Sequence, residues 1–269
     1  LVLVGEWMPV TVFRNNRGSF ENITAKLNLT DSTGWWFSIE EGDFDNDGDI
    51  DFIVGNLGLN YKYQASKDEP FDIYLNDFDK NNSNDIVLSY YDEGEKFPVR
   101  GRQCSSEQIP AIKKKFKDYD AFAVATLEDV YTKNSLETSL HYEVKSFASI
   151  YLENKDGEFV MHQLPNLSQV SSINQVLVKD FNNDSNLDIL IAGNLYGSEV
   201  ETPRNDAGVG LYLEGDGQGG FKAIAPSESG LYIPGDTKDL SFINIKDKTY
   251  VLAAKNDDEV QFIEIDGGS

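Results

Sequence analysis

The sequence predicts an all-β protein built from four-stranded antiparallel units, with a short helical insertion at about 104–133. Three observations carry this expectation. An acidic nine-residue loop occurs three times, a hairpin tipped by an aromatic residue occurs three times, and each acidic loop runs directly into an apolar stretch of strand length. Short β-branched or aromatic runs separated by Asn/Asp/Gly clusters are the pattern of hairpins.

The first acidic loop is Asp43-Phe44-Asp45-Asn46-Asp47-Gly48-Asp49-Ile50-Asp51, followed by Phe52-Ile53-Val54. Five carboxylates in nine residues repel one another unless a cation sits among them. Ca²⁺ takes six to eight oxygen ligands, and alternate oxygen side chains on a curled loop supply them. The pattern returns as Asp77-Phe78-Asp79-Lys80-Asn81-Asn82-Ser83-Asn84-Asp85 before Ile86-Val87-Leu88. It returns again as Asp180-Phe181-Asn182-Asn183-Asp184-Ser185-Asn186-Leu187-Asp188 before Ile189-Leu190-Ile191. Each copy places an oxygen side chain at positions 1, 3, 5 and 9 and Phe at position 2. About three Ca²⁺ sites are therefore expected.

An EF-hand shares the first six positions of this pattern, but it needs a bidentate Glu at position 12 and flanking helices. Position 12 is Val54, Leu88 or Ile191 here, each inside a predicted strand. The EF-hand is excluded. Position 9 supplies the late carboxylate instead (Asp51, Asp85, Asp188), and position 7 (Asp49, Ser83, Asn186) is expected to offer its backbone carbonyl. Position 6 must turn sharply, which Gly48 does freely, Asn82 tolerably and Ser185 at some cost. The first loop has four carboxylate ligands where Asn81 and Asn182 leave three in each of the others. It is expected to bind most tightly and the third loop most weakly.

The hairpins are Val12 to Phe20, Tyr151 to Phe159 and Tyr212 to Phe221. The resulting order of strand, acidic loop, strand, long connection and hairpin is that of a propeller blade. Residues 1–30 read as the tail of one blade, so that the chain starts inside a blade. A second unit covers about 34–76. A third begins at the Asp77 loop, with its outer hairpin delayed to about 146–163. A fourth runs from 172 to 224. Residues 238–265 read as a fifth, with Lys246-Asp247-Lys248 a plain turn without a metal site. Four to five blades over 1–265 suggest part of a larger ring, whose remainder would then be a partner, and 266–269 a linker or tail. Within 104–133, Ser106 offers one helix start, Pro110 fits a first turn, and Thr126-Leu127-Glu128-Asp129 has capping-box spacing. Two short helices are expected there.

At 269 residues and 40% hydrophobic content the chain can build a sizeable core. Its 46 acidic against 23 basic residues, a formal charge of -23, exclude grip on a phosphate backbone and on anionic membranes. Cys104 is the only cysteine, which rules out an internal disulfide, and no Cys/His spacing suggests zinc. The Leu1–Val4 run has no basic region before it and reads as a strand, not a signal peptide. Because calcium loops of modest affinity fill constitutively outside cells, an extracellular or cell-surface location is expected. His141 and His162 lie in predicted strands with no partner evident in sequence. Trp35 and Trp36, leading into a first strand, read as core.

The acidic loop set between strands, with its apolar strand and aromatic-tipped hairpin, resembles the FG-GAP or VCBS repeat of integrin-α-like β-propellers. Val4 to Pro9, Gly55-Asn56-Leu57-Gly58, Arg100 to Ser106 and Gly193 to Gly197 resemble the bacterial surface branch of that group, the type associated with an ASPIC/UnbV region. The resemblance implies seven blades, structural calcium and a surface or secreted location. It also implies that the calcium loops share one face while the connections between second and third strands occupy the other. Those connections are long at about 56–70, 94–145 and 195–208. They carry Tyr61, Tyr63, Arg100, Arg102, Tyr196, Glu199, Glu201, Arg204 and Asp206, a set suited to stacking on a glycan or gripping a protein partner, or else to packing the loops on one another. A calcium-stabilised binding module is the leading functional expectation. The alternatives are a propeller-type polysaccharide lyase, with Arg100, Arg102 or Arg204 neutralising a uronate, and a pure scaffold of a longer surface protein.

Overall fold

The computed structural model describes residues 1–198 and 202–265. The chain folds mostly as β-structure in several small antiparallel sheets. It divides into two compact units, one formed by Leu1–Lys62 with Phe147–Ser269 and the other by Tyr63–Ser146. The 266–269 tail expected from sequence lies outside the described residues.

In the first unit, Val2–Leu3, Thr11–Asn16 and Ser19–Asn22 form a three-stranded sheet. The next sheet is four-stranded, with Ser38–Gly42 beside Asp51–Gly55, then Ile150–Lys155 and Glu158–Gln163. A second four-stranded sheet runs Gln175–Lys179, Asp188–Ala192, Leu211–Gly215, Phe221–Ile224. A three-stranded sheet of Thr237–Ile245, Lys248–Lys255 and Gln261–Ile265 follows, and Lys246 and Asp247 form the expected plain turn within it. The core lies on and between these sheets. One cluster centres on Phe44, Ile53, Tyr151, Ile189 and Leu213, and another on Val10, Leu29, Trp36, Val54 and Leu152.

Two Gly-Asn pairs lock the ends of the inner strands. A Cβ on Gly55 would sit 2.3 Å from Ile173 O and one on Gly193 2.3 Å from Ser172 O, so only glycine lets the 172–173 segment approach both strand ends this closely. The next residue then satisfies buried backbone. Asn56 is fully buried, accepting from Trp35 N at 3.1 Å and donating to Ala148 O at 3.2 Å. Asn194, also fully buried, donates to Gly208 O at 2.9 Å and Gly235 O at 2.7 Å. Buried polar groups are retained where they are hydrogen-bonded, and these two amides tie each strand end to its neighbours.

The strand pairing corrects the expected order of units. The Ile150–Gln163 hairpin does not complete a unit begun at the Asp77 loop. It pairs with Asp51–Gly55, Ile150 opposite Val54 and Leu152 opposite Phe52, so residues 63–146 are inserted between the second and third strands of the sheet that carries the first acidic loop. The inserted unit has its own sheet, ordered Glu95–Pro98, Asp85–Asp92, Phe71–Asn76, Leu140–Val144. The last strand joins the opposite edge from the one a propeller-type order would use.

The helical part of this unit spans Arg102–Glu137 in five short helices rather than two. Pro110 opens the second, and Thr126 caps the fourth through a reciprocal box with Asp129, as the spacing predicts. Ser106 does not start a helix. It lies inside Arg102–Gln108, its hydroxyl bonded back to Arg102 O. Ile109, Ile112, Phe116, Phe122, Leu127 and Leu136 pack with Tyr74 and Val87 of the sheet.

Candidate metal centre

All three acidic loops fold by one scheme, written almost entirely in side-chain-to-backbone hydrogen bonds. The position 2 N–H donates to the position 9 carboxylate: Phe44 to Asp51 at 3.1 Å, Phe78 to Asp85 at 3.1 Å, Phe181 to Asp188 at 3.0 Å. The position 6 N–H returns to the position 1 carboxylate: Gly48 to Asp43 at 3.2 Å, Asn82 to Asp77 at 2.9 Å, Ser185 to Asp180 at 3.0 Å. The position 7 N–H donates to the position 5 oxygen, as in Asp49 to Asp47, Ser83 to Asn81 and Asn186 to Asp184. The curl requires positive φ at position 6 (Gly48, Asn82, Ser185), as expected, and also at position 4 (Asn46, Lys80, Asn183), which the sequence reading missed.

The position 2 phenylalanines anchor the loops. Phe44 is 2% exposed and packs edge-on against Tyr151 and Phe221. Phe181 packs on Tyr212 and Phe242, and Phe78 on Tyr131 within the inserted unit.

The folding brings carboxylates together. Asp43, Asp45 and Asp51 place one oxygen each within 4.8 Å of one another, and so do Asp77, Asp79 and Asp85. Among the described residues the third loop forms no such trio, since Asn182 stands where Asp45 and Asp79 stand. Position 9 is the buried member: Asp51 and Asp188 are fully buried and Asp85 nearly so. Burial, together with Asp51, Asp47 and Glu153 nearby, pushes the Asp45 carboxyl above its ordinary range. Burial and the charges of Asp79 and Asp77 do the same to Asp85, against the N–H of Phe78 and the Gln108 amide. A buried oxygen of Asp43, Oδ1, has no hydrogen-bond partner. A carboxylate oxygen left so is costly unless a cation meets it. The donor set, hard oxygens on a short curled loop, fits Ca²⁺ better than a thiophilic or imidazole-seeking metal.

Two tyrosine hydroxyls and two backbone N–H groups outside the loops complete this arrangement. The Tyr151 hydroxyl donates to Asp51 Oδ2 at 2.9 Å while Asn154 N donates to Asp51 Oδ1 at 2.8 Å. In the second four-stranded sheet the Tyr212 hydroxyl donates to Asp188 Oδ2 at 2.8 Å and Gly215 N to Asp188 Oδ1 at 2.9 Å. Sequence reasoning treated these tyrosines as hairpin residues. The signal was their shared place at the head of Tyr-Leu-Glu in two of the three hairpins.

Within the first unit the Asp43 and Asp180 loops are neighbours. Asn46 Nδ2 lies 3.5 Å from Asn186 Oδ1 and donates to Gly217 O at 3.2 Å. The 56–62 connection and the described residues 195–198 and 202–208 lie at the other end of the same strands, and Asn205 Nδ2 donates to Leu57 O at 3.1 Å.

Residues 1–54 match the FG-GAP-like repeat. The FG-GAP-like segment takes in the Thr11–Asn22 hairpin, the whole first acidic loop and the start of the strand after it. No curated protein matches the chain.

The candidate ligand residues separate between the two units. In the first, Arg204 Nε meets Asp206 Oδ2 at 2.8 Å, and its guanidinium lies 4.4 Å from the centre of the Tyr196 ring. Tyr61 packs on Trp35 and Phe147. In the inserted unit, Tyr63 is only 4% exposed, packed on Phe71 and Tyr90. Arg100 donates to Gln108 Oε1 at 3.1 Å, and Arg102 to Phe116 O and Lys117 O, so both tie down the helical segment. Glu199 and Glu201 lie outside the described residues. The histidines are not isolated: His141 Nε2 lies 2.6 Å from Asp72 and His162 Nε2 2.8 Å from Glu153. No helix among the described residues is long and apolar enough to cross a membrane.

Proposed function

We propose that the chain is a calcium-stabilised recognition module of the FG-GAP type, the sheets of its first unit being blades of a β-propeller, probing a glycan or protein partner outside the cell. The observation that carries the calcium part is the partnerless buried Oδ1 of Asp43 inside the Asp43–Asp45–Asp51 trio. The FG-GAP-like match over residues 1–54 supports the propeller part, and the type's usual extracellular setting agrees with calcium as its ion. The Gly55-Asn56 and Gly193-Asn194 pairs, with Arg100 to Ser106, favour the bacterial surface branch.

In this reading calcium is structural. Asp43, Asp45 and Asp51 hold the first ion with Asp47 and the backbone of Asp49. Asp77, Asp79, Asn81, Ser83 and Asp85 hold a second, and Asp180, Asn182, Asp184, Asn186 and Asp188 a weaker third. The ion supplies the positive charge that lets these carboxylates stay ionised side by side. The chain's own part is to pin each position 9 carboxylate to the strand that follows, which couples ion binding to sheet assembly. A partner would meet the connections at the opposite strand ends in the first unit, where Tyr196, Arg204 and Asp206 already form one surface group.

Thermal unfolding with and without calcium tests this. At a hundredfold excess over Kd each site adds about 2.7 kcal/mol. A clear rise in Tm with millimolar calcium, reversed by EDTA and unmatched by equimolar magnesium, is the expected result. An unchanged Tm contradicts it.

A further inference from the structure

We infer that the inserted unit carries a second, independent binding site: a pocket for a neutral, hydroxyl-rich small ligand of mono- or disaccharide size, built over the buried Asp72.

One face of the inserted sheet carries a cluster of polar and charged groups beside the Tyr74 and Val87 that join the core. Asp72 is fully buried in the Phe71–Asn76 strand. Cross-strand register puts Ser89 opposite Asp72, His141 opposite Tyr74, and Lys96 opposite Tyr91, all on that face. Asp72 takes Lys96 Nζ on Oδ2 at 2.8 Å and His141 Nε2 on Oδ1 at 2.6 Å. The His141 ring lies flat on Tyr74, centroids 4.3 Å apart and planes within 7°. Lys96 also reaches the Tyr74 hydroxyl at 3.2 Å and sits 4.9 Å over the Tyr91 ring. Burial alone would lower the Lys96 ammonium's pKa, but Asp72 and Tyr74 hold it well above the ordinary lysine value, so it stays charged.

Above this cluster lies an open cavity of about 560 Å³, lined also by Thr126, Glu128, Lys133, Glu137 and Ser139. The volume is within the range of small-ligand sites. Leu127 and Leu136, members of the unit's apolar core, also line this space and give it an apolar wall beside the polar groups.

The charges select the ligand class. Glu95, Glu128 and Glu137 line the cavity and Asp72 lies beneath it, against Lys96 and Lys133. With more carboxylates than ammonium groups, an anion is disfavoured. A cation would engage the glutamates but be repelled by Lys96 and Lys133, which line the same cavity. It would also compete with Lys96 for the Tyr91 face. A polyol offers a donor and an acceptor at every hydroxyl and so pairs with both sets. The Asp72 contacts fix Lys96 and His141 in place before any ligand arrives, which lowers the ordering cost of binding.

This site rests on the reading of the chain as a recognition module but not on its calcium loops, so the calcium experiment and the following one fail separately. The protein has two histidines. Comparison with His162→Gln therefore assigns the His141 imidazole signals in a ¹H–¹³C NMR spectrum of the full chain. Neutral monosaccharides and disaccharides (glucose, galactose, mannose, N-acetylglucosamine, xylose, maltose and cellobiose) are titrated to 50 mM, beside glucuronate and glucosamine. The expected result is a saturable shift of His141, with His162 unmoved, by at least one neutral sugar. Binding is expected to weaken about tenfold in Glu128→Ala, an exposed helix position whose loss does not threaten the fold. Tyr91→Phe, which keeps the ring under Lys96, is expected to retain the fold and serves as the control. Absence of saturable shifts with every neutral sugar, stronger shifts by glucuronate or glucosamine, or an unchanged affinity in Glu128→Ala would each overturn the assignment.

Discussion

The Tyr151 hydroxyl and the Asp51 carboxylate meet at 2.9 Å, joining the last residue of the first acidic loop to the third strand of its sheet. Tyr212 and Asp188 repeat the contact at 2.8 Å. Burial, then the hydrogen bond to Asp51, pushes the Tyr151 phenol well above its ordinary value of 10.0, and the same causes raise Tyr212. A raised folded-state pKa means stability that is complete below pH 10 and is lost as pH climbs above it. Tyr151→Phe is expected to cost about 1–3 kcal/mol at neutral pH, because it leaves Asp51 short of a donor. It should also flatten the alkaline limb of the stability profile. Urea melts between pH 7 and 11 measure both.

Loop anchoring through position 2 gives a second expectation. Phe44 is almost fully buried, so Phe44→Ala should destabilise the chain by about 3–5 kcal/mol. Calcium affinity at the first site should fall with it, since the loop loses its foothold in the core. Denaturant unfolding and calcium binding on the same variant test the linkage.

Backbone strain differs between the loops. Ser185 holds φ of 74° where Gly48 holds 95°. Left-handed backbone costs an L-residue about 1–2 kcal/mol, so Ser185→Gly is expected to stabilise by up to about that amount. Gly48→Ala should cost a similar amount, although a Cβ there meets no other atom within 4 Å. Equal and opposite Tm shifts in the two variants are the expected signature.

The insertion of 63–146 can be tested by removing it. Gly58 N donates to Phe147 O at 2.8 Å, so the chain a few residues before the segment leaves the first unit lies beside the point where it rejoins. Replacing 63–146 by a short Gly/Ser linker should leave a folded, β-rich protein with a cooperative melt. A molten product would mean that the Ile150–Gln163 hairpin needs the excised strands.

The local chemistry of the loops was legible because it depends on neighbours in sequence. Oxygens at positions 1, 3 and 9, an apolar run after position 9 and a flexible position 6 all fall within a dozen residues. The Thr126 capping box and Pro110 at a first turn were legible for the same reason. Pairing of the 150–163 hairpin was not. Its alternation suits any inner strand, and the choice of Asp51–Gly55 is made by Tyr151 and Asn154 converging on Asp51 from a hundred residues away. The second acidic loop, followed by a strand that mimics the others, invited the wrong partner. The helical segment was undercounted because helices of five to seven residues are too short for apolar periodicity to mark. The positive φ at position 4 was hidden by Lys80, a residue with no turn signature. The Asp72–His141–Lys96 group was invisible because its members come from three strands.

Calorimetric titration of the calcium-stripped protein, compared with Asp43→Asn and Asp180→Asn, tests the central claim most directly. The first loop joins a carboxylate trio to a partnerless buried oxygen, and the third has neither among the described residues. Asp43→Asn should therefore abolish the tightest binding event, while Asp180→Asn removes only the weakest. An isotherm unchanged by Asp43→Asn, or loss of the tightest event on Asp180→Asn, would contradict it.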